Sequence, residues 1–309
     1  MKNRLLPFLI ISSSIIFVFR LFWVQLINVD DVKLSNKNSV EKVYNYPERG
    51  YIYDRNKKLI VGNEPFYDLM IVPSKLKLVD TIEFCEILKI DKQTLLDKIK
   101  KAKNYSRIKP SVFLAQISKN DYAVIQEKLW KYDGFSVRKK SNRNYLLNSA
   151  SNILGYISEV NDYEINDNSY YESGELIGRQ GIEKSYEKQL RGVKGVSYFQ
   201  KDNFNRITGR YKEGVYDTLF KPSKNIDLTI DSELQVYGDS LMINKFGSII
   251  AIEPESGEIL SLINAPNFDP NLLIGRNRSK NYINLKNDTI GKPLFDRGLQ
   301  GMYPPGSTF

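Results

Sequence analysis

Tyr303-Pro304-Pro305-Gly306-Ser307-Thr308-Phe309 closes the sequence, and its reading decides how everything upstream is understood. Pro304 and Pro305 donate no backbone hydrogen bond and hold the approach extended. Gly306 permits a sharp turn. Ser307 then stands where a helix would begin. One reading makes it an N-cap and nothing more, since serine is a preferred residue there. The other makes it a nucleophile at a helix N-terminus, where the positive end of the dipole and free N–H groups favour an oxyanion.

Composition limits the chemistry open to Ser307. The 309 residues contain no histidine, which excludes a Ser-His-Asp triad and any His-ligated metal within them. A base for Ser307 must be another group, and lysine is the natural candidate. The single cysteine, Cys85, can form no intramolecular disulfide and no zinc cluster. It lies in a helical pattern and reads as a small core residue rather than a reactive thiol. No cofactor or metal is expected. The formal net charge of +9 comes from scattered lysines. The densest group, Lys98, Lys100, Lys101 and Lys103, fits the outer face of a helix. The excess therefore reads as solvated faces rather than a binding patch, and no motif supports nucleic-acid binding. Length and composition suit a membrane anchor plus two modest globular domains.

Immediately upstream, Pro293 to Gly301 leads into Tyr303, and Asn264 to Asn271 carries two prolines, a rigid connector. Gly247 to Ala265 is the clearest hairpin: Ser248–Glu253 and Glu258–Asn264 join across Pro254-Glu255-Ser256-Gly257. Ile249 and Ala251 share one face, Ile250 and Ile252 the other, which predicts a sheet covered on both sides. Ile226 to Asp231 alternates with period two. Ser232 and Gln235 suit a capping box, and Leu234, Tyr237 and Leu241 mark the buried face of the helix that follows. Gly238 inside it costs about 1 kcal/mol relative to Ala.

Residues 30–222 read as a mixed, extended pedestal. Tyr44 to Val61 is strand, turn and strand, with Asn56 near the turn and able to adopt a left-handed conformation. Three short amphipathic helices fill a small insert at about 80–130. The first faces inward through Ile82, Cys85 and Leu88, the second, capped by Asp91, through Leu95, Ile99 and Ala102, and the third starts at Ser118 with Asp121. Phe135 to Arg138 alternates as a strand, and Asn161 to Ser173 reads as a polar surface loop. The glycines of Ile177-Gly178-Arg179-Gln180-Gly181-Ile182-Glu183 imply a tight turn and close packing. A structural salt bridge or cap outweighs a catalytic role for Glu183. Arg191 to Gly195 is turn chemistry before the strand Val196 to Phe199, and Asn205 to Asp217 is hairpin-like.

At the other end, Leu5 to Ile27 is apolar apart from Ser12 to Ser14, Arg20 and Gln25. At 1.5 Å per residue it spans about 30 Å, a bilayer core. Arg20 would cost about 3 kcal/mol at mid-membrane but lies late enough to snorkel beside Trp23. Lys2 and Arg4 before the span, and Asp30 and Asp31 after it, orient the N-terminus to the cytoplasm. No small-residue cleavage site follows, so a retained single-pass anchor is preferred to a cleaved signal peptide.

Several segments resemble, in order, the class B penicillin-binding proteins. Arg49-Gly50-Tyr51-Ile52-Tyr53-Asp54-Arg55-Asn56 is similar to the family's Arg-Gly-x-Ile-x-Asp-Arg-Asn-Gly signature, with Lys57 in place of the glycine. Leu154-Gly155-Tyr156, Gly178-Arg179-Gln180-Gly181-Ile182-Glu183, Leu228-Thr229-Ile230-Asp231 and Pro266-Asn267-Phe268-Asp269-Pro270-Asn271 match further family segments. So does Pro293 to Gly301, with Asp296 for Asn and Gly298 for Ala. The closing seven residues resemble Tyr-Pro-Pro-Gly-Ser-Thr-Phe-Lys, and the double proline is closer to the elongation branch, penicillin-binding protein 2, than to the division branch.

The resemblance implies a single-pass membrane helix followed by an α+β chain. Residues 1–29 would be the cytoplasmic tip and anchor, 30–222 the periplasmic pedestal of dimerisation type, and 223–309 the first part of a β-lactamase-like transpeptidase domain. It implies a D,D-transpeptidase of the inner membrane with its bulk in the periplasm, Ser307 as catalytic nucleophile, and peptidoglycan stem peptides and β-lactams as ligands. A membrane glycosyltransferase and wall-elongation proteins would be its partners. Ser307, Thr308 and Phe309 fill three places of Ser-x-x-Lys. The lysine would come next, so the chain as it stands is expected to be inactive. The alternatives are a non-catalytic pedestal that docks on a cell-wall glycosyltransferase and a β-lactam-sensing receptor domain.

Overall fold

The computed structural model describes residues 5–22, 40–77, 80–202, 206–275, 277–304 and 306–308. Its strands are β1 (Val40–Asn45), β2 (Ile52–Tyr53), β3 (Leu59–Ile71), β4 (Ser111–Ile117), β5 (Phe135–Tyr145), β6 (Ile157–Glu159), β7 (Leu176–Gly178), β8 (Gly195–Lys201), β9 (Ile207–Arg210), β10 (Ile226–Asp227), β11 (Gly247–Ile252) and β12 (Ile259–Ala265). The chain divides into two compact units, residues 1–47 with 193–222, and residues 48–192 with 223–309.

In the first unit, β1, β8 and β9 form an antiparallel sheet with β8 in the centre. The N-terminal helix, Leu5–Phe22, covers the described part of the expected span. Among its described side chains the large apolar ones stand bare, with Phe8, Ile15 and Phe19 all well exposed. Among the described residues no helix is long and apolar enough to cross a membrane. Trp23 to Ile27, where the expected span ends, and the flanking Lys2, Arg4, Asp30 and Asp31 lie outside the described residues.

The second unit is built on β3. One edge of β3 pairs along its length with β5, the other with β2 and then β4, and β10 joins β2 in parallel. The hairpin expected between Tyr44 and Val61 is present as β2 and β3, but Lys57 rather than Asn56 takes the left-handed conformation, with φ of 63°. The helices Thr81–Leu88, Lys92–Tyr105 and Lys119–Lys128 form as expected, capped by Asp80, Asp91 and Ser118. Leu95, Ile99 and Ala102 face inward.

The first of these helices is rotated from expectation. Phe84 and Leu88 are buried, Cys85 is half-buried and Ile82 stands exposed. The reason is packing: Phe84 meets Tyr132 and Phe135 with ring centroids 4.3 and 4.7 Å apart, a larger apolar contact than Ile82 could make. The insert also holds a strand that the sequence pattern hid, β4, whose Phe113, Leu114 and Ile117 join the helices and β3 in one core cluster. Asn161 to Ser173 contains a short helix, Asp162–Asp167, held by an Asn161–Glu164 capping box.

The hairpin β11–β12 is antiparallel as expected. Its two strands are not equally covered, since Ile249, Ile250 and Ile252 of β11 stand exposed while Ser261 to Ala265 of β12 are buried. The helix Ser232–Leu241 is capped by Asp231, which accepts from the Glu233 and Leu234 N–H groups, not by Ser232. Leu234, Tyr237 and Leu241 are exposed, and Ser232, Gln235 and Gly238 are the buried face. The cause is the free edge of β12. The Gln235 amide donates to the Leu262 carbonyl and accepts from its N–H, both at 2.9 Å, so two edge groups that would otherwise be buried unpaired are satisfied. Gly238 lets the helix sit that close, because a Cβ there would lie 2.4 Å from Ile263 Cδ1. Gly238→Ala gains about 1 kcal/mol in helix propensity but forces overpacking worth about 1–3 kcal/mol. A net lowering of the denaturation midpoint is expected; a raised midpoint would show that Ile263 repacks freely.

Candidate functional site

Ser307 lies in a single 3-10 turn, Gly306–Thr308, and is exposed. Gly306 makes the turn with φ of 60°. Among the described residues no side chain hydrogen-bonds to the Ser307 hydroxyl. The segment leading to it is anchored through Asn264 at the end of β12. The Asn264 amide donates to the Phe295 carbonyl at 2.9 Å, and its oxygen accepts from the Arg297 N–H at 3.0 Å. Asp296 caps the turn Arg297–Gln300 through the Gly298 and Leu299 N–H groups. The buried Arg297 guanidinium donates to the Gly291 carbonyl at 2.6 Å and to Lys292 O at 3.2 Å. Each step is local in sequence except Asn264, which pins the run toward Ser307 onto the sheet.

A second polar cluster ties the region around Asn148 to the connector after β12. The Ser149 hydroxyl donates to Asp239, the Asn267 amide donates to the same carboxylate at 3.1 Å, and the Ser151 hydroxyl donates to Asn267 at 2.5 Å. Burial pushes the Asp239 carboxyl above the ordinary carboxylate range, with these donors opposing it. Nearby, Asn271 brackets the end of β5, accepting from Tyr145 N–H and donating to Tyr145 O.

Asp54 joins the β2–β3 turn to the Ser232 helix. Its fully buried carboxylate accepts from Asn56 N–H and Lys58 N–H, both at 2.8 Å, and from the Ser232 hydroxyl at 2.6 Å. Burial alone would raise its pKa, but these donors, Ser232 first, hold it below the usual range. Its folded pKa thus lies under the unfolded value, so its stabilisation is present above that value and lost as pH falls. Asp54→Asn is expected to cost about 1.5–3 kcal/mol at pH 7. The gap to the parent should narrow as pH drops below about 4, as read from urea midpoints across pH. A pH-independent gap would contradict the assignment.

The third cluster centres on Glu183, whose side chain is completely buried. One carboxylate oxygen accepts from Arg143 Nε at 2.6 Å, the other from Arg49 Nε at 2.7 Å. Arg49 also forks onto Glu187, at 2.6 and 3.2 Å. Arg143 donates to Gly50 O at 2.7 Å and Asn63 Oδ1 at 3.0 Å, and the Asn63 amide returns to Arg49 O at 2.6 Å. Glu187 accepts from Gly178 N–H at 2.9 Å. Gly178 is required by packing, since a Cβ there would lie 2.0 Å from the Glu183 carbonyl oxygen. The structural reading of Glu183 holds: both its oxygens are bound to guanidinium groups in a closed site. Arg143 and Asn63 carried no sequence signal, because they sit among polar strand residues and reach Glu183 only through the fold.

A model of the penicillin-binding protein dimerisation domain matches residues 44–228, and one of the penicillin-binding protein transpeptidase domain matches residues 247–309. The chain belongs to the penicillin-binding proteins. It is 31% identical, over 97% of its own length, to peptidoglycan D,D-transpeptidase MrdA of Acinetobacter baumannii, covering 45% of that protein. With MrdA of Escherichia coli it shares 29% identity over 99% of this chain and 49% of the relative. The chain therefore spans about half the length of the curated relatives it matches. Among solved structures, a complex between penicillin-binding protein 2 and MreC from Helicobacter pylori matches with a TM-score of 0.68 and 27% identity, over 84% of this chain and 49% of that one.

In this penicillin-binding protein the buried arginine and glutamate cluster draws together two of the resemblance segments, Arg49-Gly50 and Gly178 to Glu183, with β5 between them. The Asp54 cluster connects the same Arg49–Asn56 segment to the start of the Ser232 helix. Asp296, the departure from the family's usual asparagine, serves as a helix cap. Gly298, where the family usually has alanine, would set a Cβ 3.2 Å from Leu262, so the small residue relieves a tight contact.

Proposed function

We propose that this protein is a peptidoglycan D,D-transpeptidase of cell-wall elongation, with Ser307 as its nucleophile. The observation that carries the reading is the order of the two family matches, dimerisation domain then transpeptidase domain, with Ser307 exposed on a turn at the end of the second. The Ser307 oxygen attacks the carbonyl carbon of the penultimate D-alanine of a stem peptide. The terminal D-alanine leaves as the amine, taking a proton, and an acyl-serine ester remains. An amine of a neighbouring stem then attacks the ester, forming the amide cross-link and freeing the serine. A β-lactam stops at the ester. An amine one helical turn from the serine is the base this mechanism calls for, and general-base help of this kind is worth about 10²–10⁴-fold.

In this reading residues 1–29 carry a single-pass anchor over Leu5 to Ile27, with the N-terminus in the cytoplasm and the bulk in the periplasm. The bare apolar surface of the Leu5–Phe22 helix supports it. Residues 30–222 form the pedestal, which docks elongation proteins, an MreC-type protein among them by likeness to the Helicobacter pylori complex, and a membrane glycosyltransferase. A pedestal without catalysis is the second reading, and it rests on the same likeness. Exposing the product of the complete reading frame to a fluorescent penicillin separates the two. One covalent label per chain is expected, and no label would leave only the docking role.

A further inference from the structure

In the unit of residues 1–47 and 193–222, the stretch Val215-Tyr216-Asp217-Thr218-Leu219-Phe220-Lys221 turns its apolar side chains outward. Leu219 is 93% exposed and Val215 80%, and Tyr216 and Phe220 stand about half out. The segment is held in place. Thr218 exchanges backbone hydrogen bonds with Val196, and Lys221 with Val193, at 2.8–3.0 Å, while Asp217 accepts from Tyr198 N–H at 2.8 Å. A pinned backbone that presents four apolar side chains within six residues is a contact surface rather than scattered exposure.

Lysines interleave with the tyrosines of this unit. Lys212 Nζ lies 5.5 and 5.3 Å from the Tyr211 and Tyr216 ring centroids. Lys194 Nζ lies 4.5 Å over Tyr44. Basic side chains outnumber acidic ones in residues 40–47 and 193–222. Tyrosine at headgroup depth, apolar side chains just below and lysine heads reaching outward is the composition of a membrane interface. The excess positive charge complements anionic lipid.

We propose that this face rests on the outer surface of the bilayer that the N-terminal segment spans, with Leu219 and Val215 at the headgroup–acyl boundary and Lys212 and Lys221 near lipid phosphates. The inference rests on the anchoring reading above. The tether allows it: residues 28–39 separate the expected span from β1, and at about 3.3–3.6 Å per residue they reach at most about 45 Å.

The test uses the full chain in vesicles of phosphatidylethanolamine and phosphatidylglycerol. In a Cys85→Ala background, single nitroxide labels are placed at Leu219→Cys, at Val215→Cys and, as a water-exposed control, at Lys100→Cys on the Lys92–Tyr105 helix. Power saturation compares collision with oxygen, which partitions into lipid, against a water-soluble nickel chelate. The oxygen-to-nickel ratio is expected to be several-fold higher at 219 and 215 than at 100. Leu219→Trp with Cys85 retained, read by brominated-lipid quenching above the parent signal, gives the same answer without the cysteine change. A chain that floats with the vesicles but shows equal nickel access at all three labels overturns the inference, leaves anchoring intact and assigns the face to a protein partner. A chain that does not float overturns the anchoring reading and this inference with it.

Discussion

Glu183→Ala is expected to lower the stability of the fold by about 3–5 kcal/mol, the cost of stranding one member of a buried ion pair. Two guanidinium groups lean on this carboxylate, and they do not lose equally. Arg49 keeps Glu187, with Nη2 and Oε2 2.6 Å apart. Arg143 keeps only the neutral oxygens of Gly50 and Asn63, and its side chain has no solvent exposure. Burial already weakens the Arg143 charge, with Glu183 the main opposing influence. The pair as a whole is worth less than the cost of breaking it, because desolvation offsets most of the attraction. Glu183→Gln combined with Arg143→Met should therefore recover part of the loss suffered by Glu183→Ala. Urea unfolding of the parent and these two variants measures this. A loss below about 1 kcal/mol for Glu183→Ala, the range of an exposed pair, would mean the cluster is solvated and does not organise the fold.

The second large effect is catalytic. Ser307→Ala in the complete protein is expected to abolish covalent labelling by penicillin, since the proposed acyl ester forms on the Ser307 oxygen. Removing the nucleophile from a serine enzyme of known mechanism costs about 10⁶-fold in kcat. The fold should not notice the change. Ser307 is exposed, and among the described residues no side chain is bonded to it, so the substitution removes nothing from the core. An unchanged denaturation midpoint with complete loss of label separates chemistry from folding. Retained labelling would move the nucleophile elsewhere.

Some parts of this structure were legible in sequence and others were not, for physical reasons. Caps and turns are local. Asp91, Ser118 and the Pro254–Gly257 hairpin announce themselves within four residues, and each forms. Helix faces were harder. In helices of eight to ten residues two stripes compete, and the winner is set by the surface opposite. Phe84 displaced Ile82 because two aromatic rings waited for it. Gln235 and Gly238 displaced Leu234 and Tyr237 because the β12 edge needed hydrogen bonds and close approach. β4 was hidden between two helices.

The buried polar clusters were least legible. Arg143 meets Glu183 across 40 residues of chain, and Asp54 meets Ser232 across 178. No periodicity encodes such pairings. Ser307 is read as a nucleophile from the resemblance of the closing motif and the order of segments upstream, not from local turn chemistry alone, and the turn at Gly306 is present.

The central claim, that Ser307 carries the acyl group, is tested most directly by mass spectrometry of the complete protein after reaction with a penicillin. Proteolysis and fragmentation should locate the adduct on the peptide containing Gly306-Ser307-Thr308, one per chain, with the added mass on the Ser307 oxygen. An adduct on any other residue, or a fully reacted protein whose Ser307 peptide is unmodified, would contradict the account.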